Sequence, residues 1–148
     1  MFTPIEFTVI GKPATAGSKR AFPLMKGGKF VRSIIVDSSG AAGKSWRTLV
    51  QDRATEAFGY KPLLEGPLNV DMMFMVARPK GHSGKNGLKP SAPAFPTVRP
   101  DLLKWARAVE DALTGIVWKD DSQIVTERLY KRYREQAGVI VHISDPVL

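Results

Sequence analysis

RPDLLKWARAVEDALTGIVWKDDSQI, residues 99–124, is the stretch from which the rest of the chain is read. Asp101–Thr114 reads as a helix, with Pro100 just before it and Gly115 just after. A short apolar run, Ile116-Val117-Trp118, then leads into Asp120-Asp121. Asp101 taken alone is a helix cap, worth roughly 1 kcal/mol, and Asp120-Asp121 taken alone is a turn. Bridged by one helix and a return, the two sets of carboxylates can meet at one point in space.

Upstream, Ile5–Gly11 mixes alternation with β-branched residues and reads as a strand ending at Gly-Lys-Pro. Lys12–Gly28 reads as a glycine- and proline-punctuated loop, and Lys29–Asp37 as a second strand. Apolar positions from Trp46 to Phe58 recur at helical spacing, so Ser45–Phe58 is expected to be a helix stopped by Gly59 and Pro62. Pro67–Ala77 is a strongly apolar strand, expected at the centre of a sheet. Pro79–Pro100 has five prolines and little periodicity, so about 79–99 is expected to be a mobile basic loop. Ser122–Glu135 and Ala137–Ser144 look like a closing hairpin. The order predicts a single α+β domain over 1–148, with a mixed β-sheet and two main helices.

Composition narrows the chemistry. The chain has 148 residues and no cysteine, which excludes disulfides, thiol nucleophiles and cysteine-ligated metal sites. Only His82 and His142 are present, with no motif joining them, so a multi-histidine metal site is excluded too. No apolar run reaches the roughly 20 residues a membrane span needs, and Met1–Ile10 has no signal-peptide character. A soluble, cytoplasmic protein is the expectation. Twenty-two Lys and Arg against fourteen Asp and Glu leave a net charge of +8. Such a surplus favours a polyanion, usually nucleic acid, through counterion release, although a basic, soluble surface is the plainer account. The segment Arg78–Arg99 holds five basic residues and no acid, while Asp101–Asp121 concentrates five of the fourteen acids.

Ser38–Ser45 ends in Gly43-Lys44-Ser45 between a strand and a helix, as a phosphate-binding loop would. Serine occupies position 38, where that loop needs its first glycine, and no convincing magnesium partner follows. Carboxylates are the more informative group. Oxygen ligands suit Mg²⁺ or Mn²⁺, and two carboxylates holding such an ion support in-line phosphodiester displacement without a covalent nucleophile. Lys104, Arg107 and Lys119 lie close enough in sequence to offset charge on a scissile phosphate.

Arg-Pro-Asp-Leu-x-Lys-x-x-Arg-x-x-x-Asp-Ala-Leu-Thr-Gly at 99–115, followed by Asp-Asp-Ser-Gln-Ile at 120–124, resembles the RusA family of Holliday-junction resolvases. The resemblance covers most of the chain and includes Gly11-Lys12-Pro13, Ser45-Trp46-Arg47 and the basic C-terminal strands. It implies a homodimeric, Mg²⁺- or Mn²⁺-dependent endonuclease of α+β fold that cuts four-way DNA junctions in recombination and repair. It places the family's first catalytic aspartate at Asp101 and its later one at Asp121, with Asp120 beside it. The catalytic cation falls at Arg107, where lysine is common, and Asp111 matches a further, structural aspartate.

Leu103 departs from that pattern, which has an aspartate there. Either cleavage is weakened, leaving a junction-binding protein, or another carboxylate substitutes. Glu110 is the candidate, since residues 103 and 110 share a helix face to within about 20°, although about 10.5 Å separates them along the axis. If Glu110 is a ligand, then Asp101, Glu110, Asp120 and Asp121 should converge on one cleft while Leu103 packs inward. Otherwise Glu110 is a solvent-facing charge. Candidate DNA contacts are Arg99, Lys104 and Lys119 around the carboxylates, and Arg128, Lys131, Arg132 and Arg134 in the penultimate strand. Alternation puts Arg128, Arg132 and Arg134 on one face of that strand and Lys131 on the other. The plainer account is an edge strand kept soluble by charge.

Overall fold

A computed structural model describes residues 1–148 apart from Ser18, Ser38 and Ser39. Its main sheet has four strands in the order β1-β8-β4-β7, where β1 is Ile5–Ile10, β4 is Leu68–Ala77, β7 is Ile124–Arg134 and β8 is Gly138–Ser144. β4 runs parallel to β7 and antiparallel to β8, and β1 is antiparallel to β8. Two helices, α1 (Gly40–Phe58) and α2 (Leu102–Leu113), complete the α+β fold. No helix among the described residues is long and apolar enough to cross a membrane.

β4 is central, as its apolar run predicts: Leu68, Val70, Met72 and Phe74 are fully buried. Alternate residues of β1 and β8, Phe7, Val9, Val139, Val141 and Ile143, join them in a single core with the helices. α1 contributes Trp46, Val50, Ala54 and Phe58, which recur at helical spacing. α2 contributes Trp105, Val109, Ala112 and Leu113, with Trp105 stacked on Phe74 at 5.4 Å between ring centres.

The expected closing hairpin is corrected. β7 and β8 do not pair with each other but flank β4 on opposite sides. The three-residue link Glu135–Ala137 passes over the end of β4, a crossing of about 9.6 Å at normal strand spacing. Three linking residues reach that far, since extended chain covers about 3.3 Å per residue. Gly138 is where β8 slots in: a Cβ there would lie 2.1 Å from the Val9 carbonyl oxygen. Only hydrogen fits between those strands.

Two further expectations change. Lys19–Lys26, expected to be loop, is a strand, β2, paired antiparallel with β3 (Lys29–Asp37). The helix expected from Ser45 begins at Gly40. Gly43, Lys44 and Ser45 therefore form helical turns rather than an open phosphate cradle, and the neighbouring cavity of about 90 Å³ is too small for a nucleotide. The Ser38-Ser39 part of that motif lies outside the described residues.

The long 79–99 segment holds a one-turn 3-10 helix (Lys80–His82) and a small hairpin of β5 (Ser83–Gly84) with β6 (Gly87–Leu88). Several contacts join it to the rest of the chain. Arg78 donates to the Pro93 carbonyl at 2.8 Å and its guanidinium lies 4.2 Å from the Tyr133 ring centre. Lys131 donates to the Val98 carbonyl and, at 2.8 Å, to that of Pro100.

Candidate active site

α2 carries one face to the core and the other to solvent, where Leu103, Lys104 and Arg107 are exposed and Glu110 and Asp111 half-buried. Asp101 occupies the N-cap position with extended backbone, yet its side chain caps nothing. Its carboxylate instead lies 3.7 Å from the Lys104 ammonium, both groups well exposed, an arrangement that contributes little stability. Lys131 fixes the segment leading into Asp101. Besides its two carbonyl partners, its ammonium sits 5.1 Å over the Trp105 ring.

Leu103 does not pack inward. It is 72% exposed beside Asp101, because the face it shares with Arg107 and Glu110 is the one turned from the core. A carboxylate at this position would reach solvent without disturbing packing.

At the other end of α2, Glu110 meets Glu127 of β7. Its carboxyl is pushed up to about 8, first by burial, then by its hydrogen bond to Glu127, then by the charges of Glu127, Asp121 and Asp111. These causes favour the protonated form of Glu110, in which it donates to Glu127. Glu127 escapes a reading of the sequence because the strand around it is basic. The available signal was parity: positions 127 and 131 share a strand face, and Lys131 is the residue that reaches α2.

The Asp120-Asp121 turn is built by Gln123. Its Oε1 accepts from the Lys119 and Asp120 backbone N–H groups at 3.0 and 2.9 Å, and its Nε2 donates to the Leu64 and Gly66 carbonyls, both at 3.0 Å. Asp120 caps the one-turn 3-10 helix Asp121–Gln123 by accepting from the Ser122 N–H at 2.8 Å. That bond holds its carboxyl below the usual range. Asp120 is thus occupied in the turn, and the charge of Asp121 is among those that raise the Glu110 carboxyl. Lys119 pairs with Glu65, whose carboxyl is lowered by that contact.

The expected convergence of Asp101, Glu110, Asp120 and Asp121 does not occur within one chain. Nine helical residues, about 13.5 Å of axis, separate Asp101 from Glu110. One Mg²⁺, binding oxygens at about 2.1 Å, cannot be reached from both. Among the described residues no group of three or more acidic or histidine side chains is arranged to hold a metal ion. The donor chemistry suits a hard divalent cation, and the Glu110–Glu127 contact is a place where positive charge is wanted.

Arg128, Arg132 and Arg134 lie on the face opposite Lys131, as alternation predicts. Arg128 is engaged by Asp71 through two bonds of 2.9 and 3.1 Å. The Arg132 guanidinium lies over the rings of Phe95 and Tyr130, 5.3 and 5.2 Å from their centres. Arg134 donates to the Tyr133 carbonyl at 2.8 Å. Arg99 is exposed.

Oxygen donors set along one helix of a basic α+β domain, with no thiol in the chain, fit a class of enzyme that acts on nucleic acid. Residues 27–144 match the family described as Endodeoxyribonuclease RusA, and the chain belongs to that family. It is also 30% identical over 146 residues to a Bacillus subtilis (strain 168) protein described as "Uncharacterized protein YqaN", covering 95% of this chain and 96% of that one.

Proposed function

We propose that the protein is a Mg²⁺- or Mn²⁺-dependent endonuclease that cuts four-way DNA junctions in recombination and repair, acting as a homodimer. The observation that carries this reading is the match of residues 27–144 to the endodeoxyribonuclease family, on a chain of net charge +8 that holds Glu110 beside Glu127. Folding gains little from burying one carboxyl against another, and a carboxyl perturbed in this way marks a candidate cation site. Asp121 and Glu110 would hold the ion, with Glu127 beside them and Asp120 keeping the turn in shape. When bound, a divalent ion supplies Lewis acidity and a water made nucleophilic near neutral pH.

The chain's own residues do the rest. Arg107 lies on the exposed face between the two acidic ends and balances negative charge growing on the phosphate. Lys104 and Arg99 attract backbone at the N-terminal end of α2. Lys131 and Gln123 position the two acidic ends. Two equivalent strands of a four-way junction suit paired sites under twofold symmetry. In such a dimer Asp101 serves the partner's acidic end, which removes the difficulty of the long helix between it and Asp121.

A synthetic four-way junction should be cut in Mg²⁺ or Mn²⁺ and spared in EDTA, with Asp121→Asn binding but not cutting. No preference for branched over linear DNA would refute the reading. A second reading, junction binding without cleavage, is favoured by one observation: exposed Leu103 stands where the family has a carboxylate. Binding with no cutting in either metal would select it.

A further inference from the structure

The β2–β3 ribbon forms a two-stranded sheet of its own and pairs with no other strand among the described residues. Isolated two-stranded hairpins are marginally stable in water, and this one exposes Phe22, Met25, Phe30, Val31 and Ile34. Its sequence, residues 19–37, carries five cations against one carboxylate, which is half of the chain's net +8. At the tip, Gly27 and Gly28 take left-handed φ values of 59° and 77°, the geometry a two-residue hairpin turn requires. That turn sets Lys26 directly opposite Lys29. Like charges placed opposite each other cost stability unless a polyanion lies between or beside them.

We propose that the β2–β3 ribbon is a DNA-gripping arm whose tip lysines and Arg32 take backbone phosphates while Phe22 and Phe30 lie against bases exposed where the arms of a junction part. The inference rests on the nucleic-acid reading above and assigns to it an element outside the carboxylate site. Dimensions agree: eight residues of β2 extend about 26 Å, longer than the roughly 12 Å width of a major groove, which admits a two-stranded ribbon. Phe22 pairs across the ribbon with Ile34, and Leu24 with Arg32, so one face presents apolar and cationic groups together. Aromatic side chains among cations stack on unpaired bases. A second copy of the chain is the poorer occupant, because two ribbons of this charge repel. Pro23, which has no N–H to donate, also blunts the ribbon's edge against strand addition.

The test uses the full chain in EDTA, so that binding is read without cleavage, on a fluorescent four-way junction and a linear duplex of matched length. In Lys26→Ala/Lys29→Ala the salt dependence of binding should flatten by about two units on both DNAs. In Phe22→Ser/Phe30→Ser junction affinity should fall at least about tenfold, with linear duplex less affected. Because Lys26, Lys29, Phe22 and Phe30 are exposed and outside the main core, both variants should keep the wild-type thermal transition. Wild-type affinity and salt slope in both variants, with wild type still preferring the junction, overturns the arm alone. A wild type that binds no DNA overturns the arm and the nuclease reading together. Wild-type dimers that become monomers in the phenylalanine variant, with DNA binding intact, would assign the ribbon to self-association and overturn the proposal.

Discussion

Replacing Glu110 with glutamine should change how stability responds to pH. Folding raises the Glu110 carboxyl from 4.5 to about 8, so between those values the folded protein binds more protons than the unfolded chain. Stability then falls as pH rises through that window and is level on either side. At about 1.4 kcal/mol per pH unit the ceiling is about 5 kcal/mol. Glu110 is only half-buried, and water on its open side screens the effect, leaving about 2 kcal/mol. Glutamine keeps the shape, donates to Glu127 as the protonated acid does, and cannot ionise. In urea unfolding with EDTA, Glu110→Gln should match wild type near about pH 4 and exceed it by about 2 kcal/mol near about pH 9. Such a gap is about 4–8 °C in Tm. Glu127→Gln removes the partner but not the burial, so its slope should be intermediate. Parallel wild-type and Glu110→Gln profiles would refute the reasoning.

Leu103→Asp should leave stability within about 0.5 kcal/mol, since the site is exposed, and should raise metal-dependent cleavage; unchanged cleavage and unchanged calorimetric metal binding would mean position 103 lies outside the ion's reach. Gln123→Leu should cost about 2 kcal/mol in urea unfolding and depress cleavage by releasing the Asp120-Asp121 turn. Gln123→Glu should not rescue it, because a carboxylate accepts from the two N–H groups but cannot donate to the two carbonyls. Asp101→Asn and Asp121→Asn should each be inactive alone, whereas mixed after co-refolding they should regain nicking, because one heterodimer site then keeps both aspartates. Continued silence of the mixture would put both carboxylates to work within one chain.

Elements with strong boundary residues were legible: Pro100 and Gly115 bracket α2, and the apolar run of β4 marks its central place. β2 was not, because the residues Ala21–Lys26 include none that is buried and so write no hydrophobic period. Its signal lay in Lys26-Gly27-Gly28-Lys29, a two-residue turn between β-prone runs. β7 and β8 misread as a hairpin because a short link suits strands that are neighbours and strands that flank a third. Pairing across β4 is decided by packing distant in sequence. At the site, Asp101, Arg107 and Asp121 were singled out by the family resemblance, whereas the contact of Glu127 with Glu110 required knowing which strand lies beside α2. Which of Asp120 and Asp121 is held in the turn required the side-chain hydrogen bonds of Ser122 and Gln123.

Strand order also sets a schedule for folding. Ile5 pairs with Ile143, and the Phe2 N–H reaches the Asp145 carboxylate at 3.1 Å, so the first strand made waits for the last. During synthesis Phe7 and Val9 have no sheet neighbour until Gly138–Ser144 leaves the ribosome, because β8 is the strand that joins β1 to β4. Few pairings could be less local, and topologies of high contact order fold slowly. A chain stopped short of Gly138 would lack its interior strand, leaving one side of β4 open and β1 unattached. Translation of Gly138–Ser144 therefore separates a sticky intermediate from a finished domain, and termination before it should yield aggregate instead of a shortened folded protein.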